Sequence, residues 1–391
     1  MHAMRRATWA SVAIGAIAAF ASGCRRDRTE NRASIAAVPS EHGASIHDGA
    51  AEPAHLATGN AHACLLSHGA IRCWGNDLRG QVGAAPPRAA QTTPVVVEGA
   101  RDVVELALGG DRSCAIARDG GVWCWGAGLP AERGHAPSED SATPRRAVFV
   151  PASIGLALGE SEICALLAGR DTRCWGGGGF GVRPDEAMID VAELRLDDGS
   201  LCARTSSGSV RCKGNNRDGE LGDGTFVDRA ASKEVVGVTR ARGLARFLGT
   251  TCATLEDRTA RCWGWNVGGM TGDGTFDPRA TPSAPIGLPA VEEIALGGGF
   301  GCARTSAGSV SCWGTARRNP FGSGPRPTAL QYGARPVAVP ALTDVVELRA
   351  GEAFVCALRR DESVWCWGYG DFGELGDGTM DDHETPVRVQ L

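Results

Sequence analysis

Fourteen of the fifteen cysteines stand in seven pairs: Cys64/Cys73, Cys114/Cys124, Cys164/Cys174, Cys202/Cys212, Cys252/Cys262, Cys302/Cys312 and Cys356/Cys366. Six pairs end in Cys-Trp-Gly. Thiols nine or ten residues apart can form disulfides, ligate a metal or sit reduced in a core. Structural zinc uses two short Cys-x-x-Cys or His-x-x-x-His clips, and most pairs here have no histidine between them. An even set at repeated spacing in an exported chain reads as a disulfide framework, with buried reduced thiols as the alternative.

Other candidate chemistry is thin. Gly368-Tyr369-Gly370-Asp371-Phe372-Gly373 spells G-x-G-x-x-G, but a dinucleotide site needs a strand before it and a helix after it. Asp273 to Asp277 and Asp377 to Asp381 lack the dense alternating carboxylates of a calcium loop and read as turns. The eight histidines form no ligand pair at helical spacing, and there is no Gly-x-Ser-x-Gly elbow. The expectation is therefore no cofactor, no metal and no catalytic residue.

The fifteenth cysteine bears on location. Arg5 and Arg6 precede an apolar stretch from Ala7 to Phe20, followed by Ala21-Ser22-Gly23-Cys24. This is the pattern of a secretory signal peptide, residues 1–23. Its end resembles a bacterial lipobox, which implies lipidation of Cys24; cleavage as an ordinary signal peptide is the alternative. Residues 24–53 lack periodicity and read as a flexible tether. Arg25, Arg26 and Arg28 would lie beside anionic head groups if Cys24 is anchored.

The elements that position the cysteines are strands. From Cys356 to Cys366 two short apolar arms flank a polar middle, a hairpin that brings the cysteines opposite each other. Upstream, runs such as Val103-Val104-Glu105-Leu106-Ala107-Leu108 and Val291-Glu292-Glu293-Ile294-Ala295-Leu296 alternate as strands with one buried face. Gly supplies 55 of 391 residues, as many tight turns require. First cysteines recur at intervals of 38 to 54 residues, the period of propeller blades. A ring of small sheets also lets some 340 residues bury apolar surface without one oversized core. The sequence thus predicts an all-β, seven-bladed β-propeller over 54–391. Each blade is expected to carry one disulfide-locked hairpin, and Thr385-Pro386-Val387-Arg388-Val389 is expected to close the ring by completing the first blade.

The repeat, Val-x-x-Leu-x-Leu-Gly, Cys-Ala-Leu, Gly-x-Val-x-Cys-Trp-Gly, Gly-Glu-Leu-Gly-Asp-Gly-Thr and Pro-Val-x-Val, resembles that of the regulator of chromosome condensation family. That resemblance implies a seven-bladed propeller. Gly219 to Thr225 and Gly373 to Thr379 are the clearest copies of the glycine-rich element. The third repeat lacks it and is short, and the fourth has Lys213 in the Trp position.

Function is read from differences between repeats. Two residues before each first cysteine stand His62, Arg112, Glu162, Ser200, Thr250, Phe300 and Phe354; four before stand Asn60, Gly110, Glu160, Asp198, Leu248, Gly298 and Glu352. Positions that vary in a regular ring are expected to face solvent or a partner. Family geometry places this loop at the channel mouth. Phe300 and Phe354 would be apolar anchors beside Glu160, Glu162, Asp198 and Glu352, with surface drift as the alternative. The formal charge of −5 and scattered arginines argue against nucleic acid. The family's small-GTPase exchange activity does not carry over to an exported chain. The leading reading is a non-catalytic envelope lipoprotein presenting a protein- or glycan-binding platform. One alternative is an inhibitor of a secreted enzyme, since a propeller of this family inhibits β-lactamase. A glycan-active hydrolase or lyase using Glu160 with Glu162 or Asp198 is the other.

Overall fold

The computed structural model describes residues 53–84, 90–128, 139–148, 150–176, 188–197, 199–315 and 331–391. The expected signal peptide, Cys24, most of the tether and Asp198 lie outside these residues. The described residues form seven antiparallel sheets in chain order, one per repeat. Six have four strands and the third has three, and no helix occurs among the described residues. The inner strands are His55–Thr58, Val103–Gly109, Ser153–Leu158, Val191–Asp197, Ala241–Phe247, Val291–Leu296 and Val345–Ala350. Each contacts the inner strands on either side, and Val345–Ala350 meets His55–Thr58, so the ring is closed.

Each cysteine pair joins the second and third strands of its blade. Cys64 faces Cys73, Cys114 faces Cys124, Cys164 faces Cys174 and Cys202 faces Cys212. In the last three blades Cys252 faces Cys262, Cys302 faces Cys312 and Cys356 faces Cys366. All seven pairs are disulfide-bonded, with Cα atoms 4.0–4.1 Å apart, as the sequence predicts. Such close approach marks non-hydrogen-bonded partners, where cross-strand side chains lie nearest.

The Cys-Trp dipeptide builds the core between blades. Side chains of successive strand residues point to opposite faces, so the cysteine looks toward the next blade and the tryptophan toward the previous one. Cys64 and Cys73 of blade 1 cluster with Trp125 of blade 2, and Cys202 and Cys212 of blade 4 with Trp263 of blade 5. Cys252 and Cys262 cluster with Trp313, and Cys302 and Cys312 with Trp367. Cys356 and Cys366 of the last blade cluster with Trp74 of the first. Cys212 thus packs as its counterparts do, although Lys213 follows it in place of tryptophan. In three joints the glycine-rich loop of the preceding blade caps the indole: Trp263 Nε1 donates to the Glu220 carbonyl at 3.1 Å, Trp313 Nε1 to the Met270 carbonyl at 2.6 Å and Trp74 Nε1 to the Glu374 carbonyl at 2.9 Å. Burying such an indole contributes about 4–6 kcal/mol of transfer energy before entropy is charged.

Closure differs from the sequence expectation. The last strand, His383–Arg388, pairs with Val364–Gly368 of its own blade, while Gln91–Val96 already fills the fourth place in blade 1. The Thr-Pro-Val strand folds back on the hairpin that precedes it, so it completes the last blade. The C-terminal segment closes the ring through side chains and a loop instead. Leu375 and Val389 pack with Leu56, Leu65 and Trp74, and the Gly378 amide donates to the Thr92 carbonyl at 2.9 Å.

Candidate functional site

The loops joining inner to second strands form a linked set around the axis. The Gly298 amide donates to the Glu352 carbonyl, the Glu352 amide to the Asn60 carbonyl and the Asn60 amide to the Gly110 carbonyl, at 2.6–3.2 Å. Gly110 has no side chain, and Asn60 Nδ2 reaches past it to donate to Glu160 Oε1 at 3.3 Å. Glu160 and Leu248 are exposed, whereas Asn60 and Glu352 are half-buried. Leu248 holds a left-handed φ of 42° with 49% of its surface in solvent. This strained, exposed apolar residue lies at the same loop position as the two carboxylates.

The residues two before each cysteine are not on this surface. His62, Arg112, Glu162, Ser200, Thr250, Phe300 and Phe354 are all buried, Phe300 at 0% and Phe354 at 1% exposure. The same period of two explains it: a residue two before the cysteine points where the cysteine points, into the next blade. Phe300 packs with Leu348, Val355 and Trp367 of blade 7, and Phe354 with Leu56 and Leu65 of blade 1. Ser200 Oγ accepts from the Arg246 guanidinium of blade 5, and Thr250 Oγ1 donates to the Trp265 carbonyl at 2.5 Å, beside Met270 Sδ. Arg112 donates from Nε to the Ala127 carbonyl at 3.0 Å and from Nη2 to the Gly128 carbonyl, and burial lowers its pKa to about 10. His62 Nε2 meets Ser113 Oγ at 2.9 Å, and Ser113 Oγ donates onward to the Gln81 carbonyl. Nε2 is therefore the donor, and the lone pair of Nδ1 is left buried without a donor. Burial drives the His62 pKa down to about 3. These side chains vary because each blade joint solves its packing differently.

The inner strands carry a charge network that the alternating pattern contained but did not single out. Glu193, Glu293 and Glu347 occupy one repeat position, and each carboxylate accepts from the backbone of the next inner strand. Glu193 takes the Leu244 amide at 3.2 Å, Glu293 the Leu348 amide at 3.0 Å and Glu347 the Leu56 amide at 2.8 Å. They satisfy strand-edge donors that face the axis. Arg349 lies 2.5 Å from both Glu293 and Glu347, and Arg195 lies 2.7 Å from Glu193. Burial alone would raise Glu347, yet Arg349 and His55 hold it at about 2. His55, 3.1 Å from Glu347, is raised by that hydrogen bond against burial. Glu105, at the same repeat position, is raised by burial, with His55, Arg195 and Arg349 opposing.

The remaining motifs are structural. Asp273 accepts from Thr275 on one oxygen and from Arg279 Nε at 2.7 Å on the other, and Asp223 repeats this with Thr225 and Arg229. An arginine stands where a cation would have to bind, and Asp377 has His383 Nε2 3.0 Å away instead. No metal-ligand cluster occurs among the described residues. Gly368 to Gly373 lie in a strand end and turns with no following helix.

Comparison with known proteins agrees with this architecture. Residues 103–128 and 345–374 match one family model of the regulator of chromosome condensation (RCC1) repeat, and residues 361–391 match another. A stretch of 97 residues is 31% identical to the human probable E3 ubiquitin-protein ligase HERC3, covering 24% of this chain and 9% of that protein. Human WBSCR16 superposes at TM-score 0.50 with 19% identity, over 87% of this chain and 82% of that one. The Physcomitrella patens receptor kinase CR4 ectodomain gives 0.51 and 20% over 80% and 72%. At these identities the likeness is one of fold.

Proposed function

We propose, taking as premise that the chain is a seven-bladed propeller of regulator of chromosome condensation repeats, that it is a non-catalytic interaction platform. Its binding surface is the ring of loop tips bearing Asn60, Glu160, Leu248 and Glu352. The observation carrying this reading is a division of labour. The axial carboxylates Glu193, Glu293 and Glu347 are engaged in holding blades together. The exposed tips, by contrast, differ between repeats on a hydrogen-bonded frame. A rigid frame with variable tips suits a protein ligand, because little ordering entropy is charged on binding.

Location belongs to the same proposal. Seven disulfides fit an oxidising compartment, and no helix among the described residues is long and apolar enough to cross a membrane. Residues 1–23 then act as signal peptide, Cys24 takes the lipid and 24–53 tether the ring to the cell envelope. Metabolic labelling with a fatty acid should mark the full chain and fail on Cys24→Ala; label surviving that substitution would defeat the anchor.

The platform is tested by capture. The oxidised propeller is used as bait in envelope and culture-medium extracts beside a Glu160→Arg/Glu352→Arg variant that melts at the same temperature. A protein held by the first and lost from the second supports the reading. Equal recovery on both would move the contact off the loop tips, and a bait that holds nothing would sink the platform.

A further inference from the structure

Blade 5 presents three apolar side chains on the face that carries the loop tips. Leu248 is 49% exposed, Val267 is 42% exposed and Trp265 is half-buried. The three stand together. The Trp265 amide donates to the Gly249 carbonyl at 3.2 Å, and a Cβ placed on Gly249 would lie 3.5 Å from Trp265 Cβ. Val267 follows across Asn266, and Gly268 beside it packs on the Gly299 backbone of the blade 6 loop. We infer that this patch seats an apolar side chain of a partner protein, carried there between lysine or arginine residues. The inference rests on the platform reading and names the chemistry of its ligand.

Packing of the ring does not account for these side chains. The other six repeats put glycine or a polar residue at the Leu248 position. Leu248 holds a φ of 42°, a region that glycine enters freely, so leucine there strains the backbone while half of its surface stays in water. Trp265 is matched by Asn76, Asn215 and Thr315, and the one other aromatic at that position, Tyr369, is buried at 1% exposure. The backbone under the patch, by contrast, is fixed. Asn266 is fully buried, donates from Nδ2 to the Thr275 and Asp277 carbonyls at 3.1 and 3.0 Å, and accepts the Thr271 amide at 2.9 Å. The Gly249 amide is held by the Asp197 carboxylate. Aromatic and aliphatic side chains on a rigid mount suit an interface anchor, since little ordering entropy opposes binding.

The surrounding charge selects the occupant. Asp197 adjoins Gly249, and Glu220 has its Cγ 3.1 Å from a Cβ placed there. Glu352 reaches over the blade 6 loop, its Cγ 3.2 Å from a Cβ placed on Gly298. The Arg246 guanidinium is turned inward, onto Ser200, Thr251 and the Glu220 carbonyl. Three carboxylates around an apolar centre complement basic residues flanking an apolar one, and they repel an anionic lipid surface. Leu248 and Val267 offer no hydrogen bond to sugar hydroxyls, which would be desolvated there without partners, so the patch favours a polypeptide over a glycan.

The test uses the whole oxidised protein, isotopically labelled for magnetic resonance, and the peptide acetyl-Gly-Arg-Phe-Arg-Gly-amide. The peptide should shift the Leu248 and Val267 amides and the Trp265 indole, whose resonance is the one lost in Trp265→Phe. Serine in place of its phenylalanine should weaken binding about ten-fold or more, the worth of one buried aromatic side chain. Glutamates in place of its arginines should weaken binding about two- to five-fold, the range for exposed pairs. Leu248→Gly should keep the melting temperature, because relief of strain offsets the freedom glycine adds to the unfolded chain, and should weaken the peptide about ten-fold. Absence of binding at millimolar peptide would overturn the inference. So would shifts that leave these three groups unmoved, equal affinity for the serine and glutamate peptides, or full affinity in Leu248→Gly. A partner captured by the native ring and held equally by Leu248→Gly would also overturn it, while leaving the platform standing.

Discussion

His62 shows how a single position can mislead and still be useful. Its ring donates from Nε2 and leaves Nδ1 without a partner, so protonation inside the joint is opposed both by burial and by the absence of an acceptor. The folded pKa, about 3, lies below the unfolded value of 6.5, so the unfolded chain binds the proton first and stability falls as pH drops from 6.5 toward 3. Phe300 and Phe354 occupy the same repeat position, which makes His62→Phe a substitution the fold already uses. Between pH 7 and pH 4.5 the unmodified protein should lose about 2–3 kcal/mol more than His62→Phe in denaturant titrations; equal losses would refute the assignment. Phe354→Ala should cost about 3–5 kcal/mol by the same measurement, because it empties a joint and not a binding surface. Glu347 adds to the acid-side loss: held at about 2 against 4.5, it stabilises above 4.5 and that contribution fades as pH falls toward 2. His55 acts on the other side, its raised pKa giving stability below 6.5 that is lost as pH rises through the folded value.

Among the elements, the inner strand is where charge and backbone meet. A propeller leaves the axial edge of each inner strand facing the next, too splayed for a full ladder, and Glu193, Glu293 and Glu347 bridge three of those gaps. Removing Glu347 strips the acceptor from the buried Leu56 amide and takes one of the two carboxylates that hold Arg349, and polar groups left buried without a partner cost more than the pairs themselves contribute. Glu347→Ala should therefore destabilise the ring by about 3–5 kcal/mol, read from the denaturant midpoint. Glu105→Gln should change it little, since no hydrogen bond to Glu105 is found among the described residues. A small effect at Glu347 would mean that the network is not structural. The glutamates are visible in the sequence as one position of an alternating run, but alternation separates faces and says nothing of which carboxylate reaches which strand.

At the scale of the molecule, closure depends on joints between blades, and the last joint is made by residues 300 apart in the chain. Trp74 of blade 1 is capped by the Glu374 carbonyl and packed by Leu375. Leu375→Ala should cost about 2–5 kcal/mol and shift tryptophan emission to longer wavelength as water reaches Trp74; unchanged emission would place the seal elsewhere. The seven-fold repeat, the hairpins, their disulfides and the all-β class were legible in the order of residues, because pairing across a short turn and alternation along a strand are local. Which blade each face meets is a long-range matter. For that reason Phe300 and Phe354 read as surface anchors when they are joint fillers, and the final Thr-Pro-Val strand read as the missing piece of blade 1 when it completes blade 7. Local patterns determined the parts and how many there are; only the closed ring decided which variable residues face solvent and which fill a joint.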